Sequence, residues 1–361
     1  MSSVLVYIGT YTEDPEEGIY RFRLNIDSGE LILVGVTSAV PDPFYLVVND
    51  AGDRLYAGNA VDEIDGLAEG AVSAFAIGSD SGDLTFLNRQ PCRGRLPCYL
   101  SLESSGRWLL VGNYNSGSVA VLPIMGDGSL GRPSDSHQHR GKSVNEERQE
   151  GPHVHSIVLD PTESWAYAPD LGIDKVMIYG FDAVTGTLTP ASPDSVGTAP
   201  GAGPRHFAFH PNGHFAYLLN ELDNTFNVYD FDAATGALRE KQSLSMQRAN
   251  YDGENCSADV KIRPCGDVLY GTNRGPDDIA VFGIDAETGM LTPSGHTSAQ
   301  GRWPWNIGID PSARFLLATN YNSSKVVVLA IDGDSGALTP TGYEVEVPKP
   351  VNVCIAPHVG K

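Results

Sequence analysis

Residues 201–221 show a pattern of apolar and polar positions that is typical of two short strands joined by a tight turn. Apolar residues form two period-two runs on either side of a Pro-Asn-Gly turn at residues 211–213, and charge stands only at the two ends. Antiparallel strands joined in this way return to the side from which they started. The pattern therefore predicts that Arg205, His206 and Glu221 share one face.

This strand pair belongs to a repeat that runs through the whole chain. A turn that ends in Gly-x-Leu recurs seven times, about 46 to 58 residues apart, at Gly29, Gly82, Gly128, Gly186, Gly236, Gly289 and Gly336. A second pattern, in which a strand, a turn and a strand end in Asn or Asp, has six complete copies, at 43–59, 97–113, 153–170, 204–220, 255–273 and 303–320. Repeats of about 50 residues with four strands each are typical of propeller blades.

The seventh copy of the second pattern is divided between the two ends of the chain. Residues 4–11 match its second strand, and residues 350–356 match its first. The sequence therefore predicts an all-β fold: a single seven-bladed β-propeller domain over residues 1–361, with four antiparallel strands per blade. One blade is closed by the N- and C-terminal strands. A pair of β-sandwiches is the competing prediction, but it does not explain why the two ends are complementary.

Three long insertions interrupt the repeat. Because strand direction alternates within a blade, the starts of the first strands and the ends of the second strands lie on one face, which we name the top face. The insertions at residues 61–70, 132–152 and 242–254 fall on that face. Long polar connections in a compact domain are often functional. We expect them to form either a partial lid or a solvated rim.

Comparison of the blades with one another reveals charged departures on the top face. Positions that are apolar or neutral in most blades carry charge-capable groups in three consecutive blades, at His155, Arg205, His206, Glu221, Asp259 and Arg274. A polar residue also ends each second strand, and local turn hydrogen bonding is its simplest role, at Asn59, Asn113, Asp170, Asn220, Asn273 and Asn320. Of this ring, Asn220 and Asn273 flank the charged group and are candidate site residues.

The charged group has two interpretations. It could be a network of ion pairs that closes the channel, in which Glu221 and Asp259 neutralise Arg205 and Arg274. It could instead be a functional site, since charges in a partly dry funnel are costly where apolar groups would pack as well. Perturbed ionisable groups concentrate at functional sites. The functional interpretation is favoured because two histidines accompany the charges.

Composition narrows the classes of partner and compartment. The formal net charge of -21 opposes binding to nucleic acid or to anionic membranes, so neither is expected as a partner. The first twenty residues lack a basic segment followed by an apolar run, and no apolar stretch is long enough to span a membrane. Five cysteines without zinc-ribbon spacing are typical of reduced thiols. We expect a soluble, cytoplasmic protein.

Other chemistries are less well supported. The sequence contains no Gly-x-Ser-x-Gly elbow, His-Glu-x-x-His motif, Walker A loop or dinucleotide-binding fingerprint. His153 and His155, like His137 and His139, are two residues apart, but neither pair has a third ligand at a recognisable spacing. No metal or other cofactor is expected.

His210 and His214 flank a turn far from the top face, and we expect them on the surface.

Several motifs also carry a family resemblance, which covers essentially the whole chain. They are Gly-Pro-His-Val-His-Ser at 151–156, Gly-Ala-Gly-Pro-Arg-His at 201–206, Phe-His-Pro-Asn at 209–212, Asn-Glu-Leu at 220–222 and Asn-Arg-Gly at 273–275. This set resembles the bacterial lactonase family of seven-bladed propellers, typified by the cycloisomerase-2 type of 6-phosphogluconolactonase. That family is related to the fungal 3-carboxy-cis,cis-muconate lactonising enzyme. The resemblance implies catalytic roles for His155, Arg205, Glu221 and Arg274.

Two positions depart from the family pattern. Trp305 stands where relatives often have an arginine, and Tyr99 stands where they often have a histidine. The missing arginine weakens the inference that the substrate carries a phosphate. Binding or orienting of the substrate is assigned to a further set of residues: His206, Asn220, Asn273, Asp259, His153 and Trp305.

The leading hypothesis is hydrolysis of a sugar δ-lactone such as 6-phosphogluconolactone. His155 or Glu221 would be the general base, while one of Arg205 and Arg274 stabilises the oxyanion and the other holds an anionic substituent. One alternative is a muconate-type lactonising enzyme that acts on a dicarboxylate. Another is a non-catalytic propeller that binds a protein on an aromatic top face. The expected partner is a small anionic lactone or sugar acid, bound by a monomer or weak homodimer.

Overall fold

A computed structural model describes residues 3–11, 18–38, 40–64 and 66–357. Within these residues the chain forms 28 strands and two short 3-10 helices, at Leu171–Ile173 and Tyr321–Ser323. The strands are β1 (Ser3–Thr10), β2 (Ile19–Asn25), β3 (Leu31–Thr37), β4 (Pro43–Val48), β5 (Arg54–Asn59), β6 (Ala71–Ile77), β7 (Leu84–Pro91), β8 (Pro97–Leu102), β9 (Trp108–Asn113), β10 (Ser118–Pro123), β11 (Asp135–Gln138), β12 (Val158–Leu159), β13 (Trp165–Asp170), β14 (Lys175–Asp182), β15 (Thr187–Gly197), β16 (Pro204–Phe209), β17 (Phe215–Asn220), β18 (Thr225–Asp232), β19 (Ala237–Ser245), β20 (Cys256–Ile262), β21 (Val268–Arg274), β22 (Asp278–Ile284), β23 (Leu291–Ser298), β24 (Pro304–Ile309), β25 (Phe315–Asn320), β26 (Lys325–Ile331), β27 (Leu338–Glu346) and β28 (Pro350–Ile355).

The strands form seven four-stranded antiparallel sheets, which are the blades of a propeller. Blade 1 has the order β28-β1-β2-β3, and blades 2 to 7 follow as β4–β7, β8–β11, β12–β15, β16–β19, β20–β23 and β24–β27. The first strands of neighbouring blades contact one another around the axis, as β4 does with β8 and with β28. The predicted all-β, seven-bladed architecture is confirmed.

Blade 1 closes the ring, as the divided repeat predicts. Strand β1 pairs with β2 on one side and with β28 on the other, where Tyr7 lies opposite Cys354. The Asn352 side chain also accepts a hydrogen bond from Leu46 N in blade 2, at 3.0 Å, and its amide lies 3.3 Å from Asn306 Oδ1 in blade 7. The C-terminal strand therefore ties together three neighbouring blades.

The repeated Gly-x-Leu turns join each blade to the preceding one. All seven glycines have a positive φ, which a residue with a Cβ rarely adopts. In five of the seven turns the glycine carbonyl accepts a hydrogen bond from a buried tyrosine hydroxyl of the preceding blade, at Tyr7, Tyr56, Tyr167, Tyr217 and Tyr270. The repeat is thus a contact between blades on the face opposite the top face.

Apolar side chains fill the space between adjacent blades. One cluster combines Phe215 and Phe226 of blade 5 with Val260 and Phe282 of blade 6. Each fully buried side chain of this kind contributes about 1.5–3 kcal/mol to the free energy of unfolding. The apolar alternation seen in the sequence thus places one face of each sheet against its neighbour.

Three details differ from the expectations. The insertion at 132–152 contains β11, and the insertion at 242–254 begins inside β19, so the irregular segments are shorter than predicted. Residue 65 of the insertion at 61–70 lies outside the described residues. His210 is buried rather than on the surface, because its Nε2 lies 2.7 Å from Gly266 O of the next blade, whereas His214 is exposed. None of the helices in the described ranges has the length and hydropathy needed to span a membrane.

Candidate active site

A pocket of about 210 Å³ opens at the axis on the top face. One side is aromatic and apolar and the other is ionic. The lining residues are Tyr11, Phe44, Leu96, Cys98, Tyr114, Asn115, Arg148, His155, Glu221, Arg274 and Trp305. Of the four predicted catalytic residues, three line the pocket. The fourth, Arg205, lies directly behind Glu221.

Glu221 is the centre of the ionic side. It follows β17 directly, so the end of that strand fixes its backbone, and only 3% of the residue is exposed. Its Oε2 accepts a hydrogen bond from Arg205 Nε at 2.8 Å. Its Oε1 accepts one from an Arg148 guanidinium nitrogen at 2.7 Å and lies 3.1 Å from an Arg274 nitrogen. Three guanidinium groups therefore surround one carboxylate, which leaves a local excess of two positive charges.

Arg205 is the most deeply placed of the three arginines. Its Nη1 donates to Ala258 O and lies 3.1 Å from His206 Nε2, and the residue is 1% exposed. Burial, together with the neighbouring charge of Arg274, lowers the pKa of Arg205 from its ordinary value. Its position at the start of β16 allows it to reach back to Glu221 across a tight strand pair, as the sequence predicts.

Arg274 is held from two sides. Its Nε donates to Cys256 O at 2.9 Å and an Nη to Ser257 O at 3.2 Å. Its guanidinium lies over the rings of Trp305 and Trp303, 4.9 Å and 5.6 Å from their centroids. Cation–π contacts of this kind favour a fixed orientation of the guanidinium. Trp305 therefore packs against Arg274 at the wall of the pocket.

Arg148 is a site residue that the sequence analysis missed. It lies in the insertion at 132–152, for which the other blades have no counterpart, so comparison among blades gives no signal there. The segment is anchored on Asp174, whose carboxylate accepts hydrogen bonds from Ser143, Gln149, Gly201 and Gly203. Asp174 thus connects the segment that carries Arg148 with the segment that precedes Arg205. The described parts of the other two insertions contribute no side chain to the pocket.

His155 borders Glu221 in an irregular segment just before the short strand β12. Its Nε2 lies 3.5 Å from Glu221 Oε2, and its Nδ1 lies 3.9 Å from Cys98 Sγ. Burial, reinforced by the charge of Arg205, lowers the pKa of His155 well below its ordinary value, so the imidazole is neutral at neutral pH. Burial raises the pKa of Cys98 to about 12, so its thiol is also neutral.

The electrostatic balance at Glu221 favours the charged carboxylate. Burial alone would raise its pKa, but the charges of Arg274 and Arg205, with a smaller contribution from Arg148, outweigh it. The net effect is a pKa far below that of an ordinary glutamate. Glu221 is consequently ionised in the free protein and has little affinity for a proton there.

A second polar layer lies below the pocket. His206 Nδ1 is 2.7 Å from Asp259 Oδ1, and Asp259 also accepts hydrogen bonds from Lys261, Asn306 and the backbone of Ile307. Burial and the charge of Arg205 lower the pKa of His206 to about 4. Neutral His206 thus donates to Asp259 and accepts from Arg205. Among the described residues, the charge of Asp259 is paired with Lys261 rather than with an arginine, which differs from the expected ion-pair network.

Several residues predicted to bind substrate lie away from the pocket wall. Asn220 uses its amide on Thr225 and Asn227, and Asn273 bonds Met246 O and Asp278. His153 stacks on Tyr114, with its Nε2 3.0 Å from Glu150. Like His206 and Asp259, these residues are not among those that line the pocket. Their amide and imidazole groups are engaged by turns and neighbouring loops.

The aromatic side of the pocket is formed by packed rings. Phe44 contacts both Tyr11 and Trp305 edge-on, with centroids 5.3 Å and 5.8 Å apart, and Trp305 contacts Tyr321. The Nε1 of Trp305 is buried and has no hydrogen-bond partner among the described residues. The aromatic residues that the scaffold hypothesis needs on an open surface therefore pack against one another around a small pocket.

The histidine pairs do not form a metal site in the described residues. Within the described ranges, no group of three or more His, Cys, Asp or Glu side chains is arranged to hold a metal ion. His139 is buried between Asp170, at 2.7 Å, and the hydroxyl of Tyr179, at 2.9 Å. His137 contacts Asp135 and Leu188 O.

Comparison with known proteins agrees with this architecture. The chain matches the family described as lactonase, 7-bladed beta-propeller, over residues 5–355. It is 36% identical to the 6-phosphogluconolactonase of Bacillus subtilis (strain 168) over 312 residues, which is 86% of each chain. It is similar in structure to a periplasmic gluconolactonase of Pseudomonas aeruginosa, with a TM-score of 0.92 and 32% identity over 98% of this chain and 99% of that one. The chain therefore belongs to the lactonase family of seven-bladed β-propellers.

Proposed function

We propose that this protein hydrolyses a sugar δ-lactone, with 6-phosphogluconolactone as the favoured substrate. The observation that carries the proposal is the group of three guanidiniums around one buried carboxylate at the wall of a small pocket. In a chain with a formal net charge of -21, this local excess of positive charge favours a small anionic ligand. The name of the Bacillus subtilis relative supports a phosphorylated lactone.

We assign the role of general base to Glu221 rather than to His155. Against an ionised carboxylate, His155 Nε2 is best placed as an N–H donor, which leaves Nδ1, on the side of the buried Cys98, as the acceptor. The basic nitrogen of His155 then faces away from the pocket. Glu221 Oε1, on the pocket side, can accept the proton of a water molecule that attacks the lactone carbonyl carbon.

The remaining steps need a stabilised oxyanion and a proton for the leaving group. Arg274, which two backbone carbonyls hold in place, is positioned to stabilise the oxyanion of the tetrahedral intermediate. When the ring C–O bond breaks, the protonated Glu221 returns its proton to the leaving oxygen. The products are a hydroxyl group and a carboxylic acid, so one water is consumed and no proton is left on the protein.

The test is hydrolysis of 6-phosphoglucono-δ-lactone by the purified protein, with the spontaneous rate subtracted. Glu221→Gln should lower kcat by about 10²–10⁴-fold, because it removes the proton acceptor. Since this change also removes the counter-charge of buried arginines, folding is checked by circular dichroism. The exposed Glu147→Gln in the neighbouring segment is the matched control and should retain the wild-type rate.

A substrate panel separates this function from the alternatives. Turnover of phosphorylated and unphosphorylated sugar lactones supports the proposal. Turnover of a muconate-type dicarboxylate lactone alone would favour the lactonising reaction, and a stable protein complex without lactone turnover would favour a scaffold.

We also propose that residues 1–361 act as one domain in the cytoplasm, as a monomer or weak homodimer. Five free cysteines support a reducing compartment, although the Pseudomonas aeruginosa relative is periplasmic. Cell fractionation and light scattering at several protein concentrations test these assignments.

A further inference from the structure

We propose that an anionic substituent of the lactone activates Glu221 by drawing Arg148 away from it. The anion would then raise kcat and would not act through binding alone. This inference rests on the proposed function and names the substrate class, a lactone that carries a phosphate or a similar anion.

In the free protein, both oxygens of Glu221 are occupied. Arg205 and His155 lie at Oε2, and Arg148 and Arg274 lie at Oε1. Of these four groups, Arg205 donates a hydrogen bond to Oε2 and Arg148 donates one to Oε1, whereas Arg274 and His155 lie at ion-pair distance. Arg148 therefore holds the oxygen of Glu221 that faces the pocket, and its departure would open that oxygen to a water molecule.

The three arginines differ in how firmly they are held. Arg205 is bound to Ala258 O and His206, and Arg274 to Cys256 O, Ser257 O and two tryptophan rings. Within the described part of the chain, the Arg148 guanidinium has one hydrogen bond besides that to Glu221, a long one of 3.4 Å to the Tyr114 hydroxyl. Its side chain is also 38% exposed, whereas those of the other two are nearly buried. Arg148 is therefore the donor that a ligand can take most easily.

The backbone around Arg148 is fixed, so the change needs only its side chain. Arg148 N donates to Asn145 Oδ1, Gln149 N donates to Asn145 O, and the Gln149 side chain bonds Leu171 O and Asp174. A phosphate on the substrate would accept charge-assisted hydrogen bonds from the guanidinium at the mouth of the pocket. No movement of the loop is required.

Departure of Arg148 would change both the access to Glu221 and its basicity. Oε1 would gain a free acceptor position, and the anion would offset one of the charges that keep the pKa of Glu221 low. The groups that face Glu221 would then be Arg205, Arg274, His155 and Tyr114, with Arg148 paired to the substrate. A lactone without an anion would leave Arg148 on Oε1, so its kcat should be lower.

The first test uses wild-type protein and unphosphorylated glucono-δ-lactone, with and without inorganic phosphite. Phosphite should raise kcat for this lactone, by about 10- to 100-fold at saturation if it replaces one charge-assisted contact. Potassium chloride at matched ionic strength is the control and should have no such effect. The phosphorylated lactone should show a higher kcat than the unphosphorylated one.

The second test uses Arg148→Met, which keeps the length of the side chain and removes its charge. Without phosphite, this variant should hydrolyse glucono-δ-lactone with a higher kcat than the wild type, because Arg148 no longer holds Oε1. It should lose activation by phosphite and should show a higher KM for the phosphorylated lactone. Arg140→Met removes an exposed charge from the same loop and should behave as the wild type.

The possible results are distinct. Equal kcat for both lactones with a difference only in KM would mean that the anion contributes uniform binding, and the inference would be wrong while the lactonase function stands. Phosphite that inhibits, or activation that persists in Arg148→Met, also contradicts it. Absence of turnover for every lactone would instead refute the proposed function.

Discussion

His206 shows how a residue outside the pocket can control a residue beside it. Its Nε2 lies 3.1 Å from Arg205 and its Nδ1 lies 2.7 Å from Asp259, so a neutral imidazole satisfies both neighbours at once. A protonated imidazole would donate at both nitrogens and would face the Arg205 guanidinium with like charge. The orientation of Arg205, and with it that of Glu221, therefore depends on a neutral His206.

This arrangement predicts that acid lowers the stability of the protein. The pKa of His206 is lowered to about 4, whereas a histidine in the unfolded chain has a pKa of about 6.5. As the pH falls below 6.5, the unfolded state gains a proton that the folded state does not bind until the pH approaches 4. The free energy of unfolding should thus lose roughly 2 kcal/mol between pH 7 and pH 5 through this residue.

Chemical denaturation of the wild type and of His206→Asn at both pH values measures this effect. The asparagine can still donate to Asp259 but does not titrate, so the variant should lose less stability on acidification. His214→Asn changes an exposed histidine of the same blade and should keep the wild-type difference. An equal loss in His206→Asn and in the wild type would mean that other groups control the acid response.

At the scale of elements, the blades differ in how well they can be predicted. Regular blades repeat in the sequence, so the positions of Arg205, Glu221 and Arg274 at strand ends follow from comparison of one blade with another. The insertion that carries Arg148 occurs in one blade only, and its contacts with Asp174 join segments that are far apart in the sequence. No repeat or local pattern contains that information.

The same contrast applies to the polar ring and the aromatic side of the pocket. The turn role of Asn220 and Asn273 could be predicted, because each blade repeats it, but their contribution to substrate binding could not be decided from spacing. The contact between Trp305 and Arg274, in which the guanidinium lies 4.9 Å from the ring centroid, depends on the packing of neighbouring blades. The catalytic roles of the site residues stay predictions.

The Gly-x-Leu turns allow a prediction in which stability changes and activity does not. Gly336 has a φ of +70°, and an added Cβ would lie 2.6 Å from Val268 Cγ2. Gly336→Ala should therefore lower the free energy of unfolding by about 2 kcal/mol, through backbone strain and steric overlap. The turn lies on the face opposite the pocket, so kcat for the lactone should not change.

Gly333→Ala is the matched control for this turn. An added Cβ at Gly333 has no heavy atom within 4 Å and its φ is not in the left-handed region, so stability should change little. Thermal or denaturant unfolding of both variants provides the measurement. Equal stability of the two variants would mean that the positive φ of Gly336 does not determine how much this turn stabilises the fold.

For the whole molecule, closure of the ring is what brings the site together. Glu221 receives side chains from blades 4, 5 and 6, while blades 1, 2 and 7 supply the aromatic side through Tyr11, Phe44 and Trp305. Strand β28 holds blades 2 and 7 through Asn352 and completes blade 1. Loss of closure at blade 1 should therefore disturb a pocket whose charged residues lie on the other side of the axis.

Folding and activity should require a closed ring, but the point in the chain at which the ring is closed should not matter. Removal of residues 350–361 deletes β28, with its buried Val351 and Val353, and should abolish cooperative unfolding and lactone hydrolysis. A circular permutant links the segment after β28 to the segment before its pairing partner β1, and it opens the chain beside the exposed Val184. It keeps every strand and moves the closure to blade 4, so it should unfold cooperatively and hydrolyse the lactone at a rate close to that of the wild type. An inactive but cooperatively folded permutant would show that the pocket requires an unbroken blade 4, and a truncated chain that still folds would show that six complete blades and an open sheet are enough.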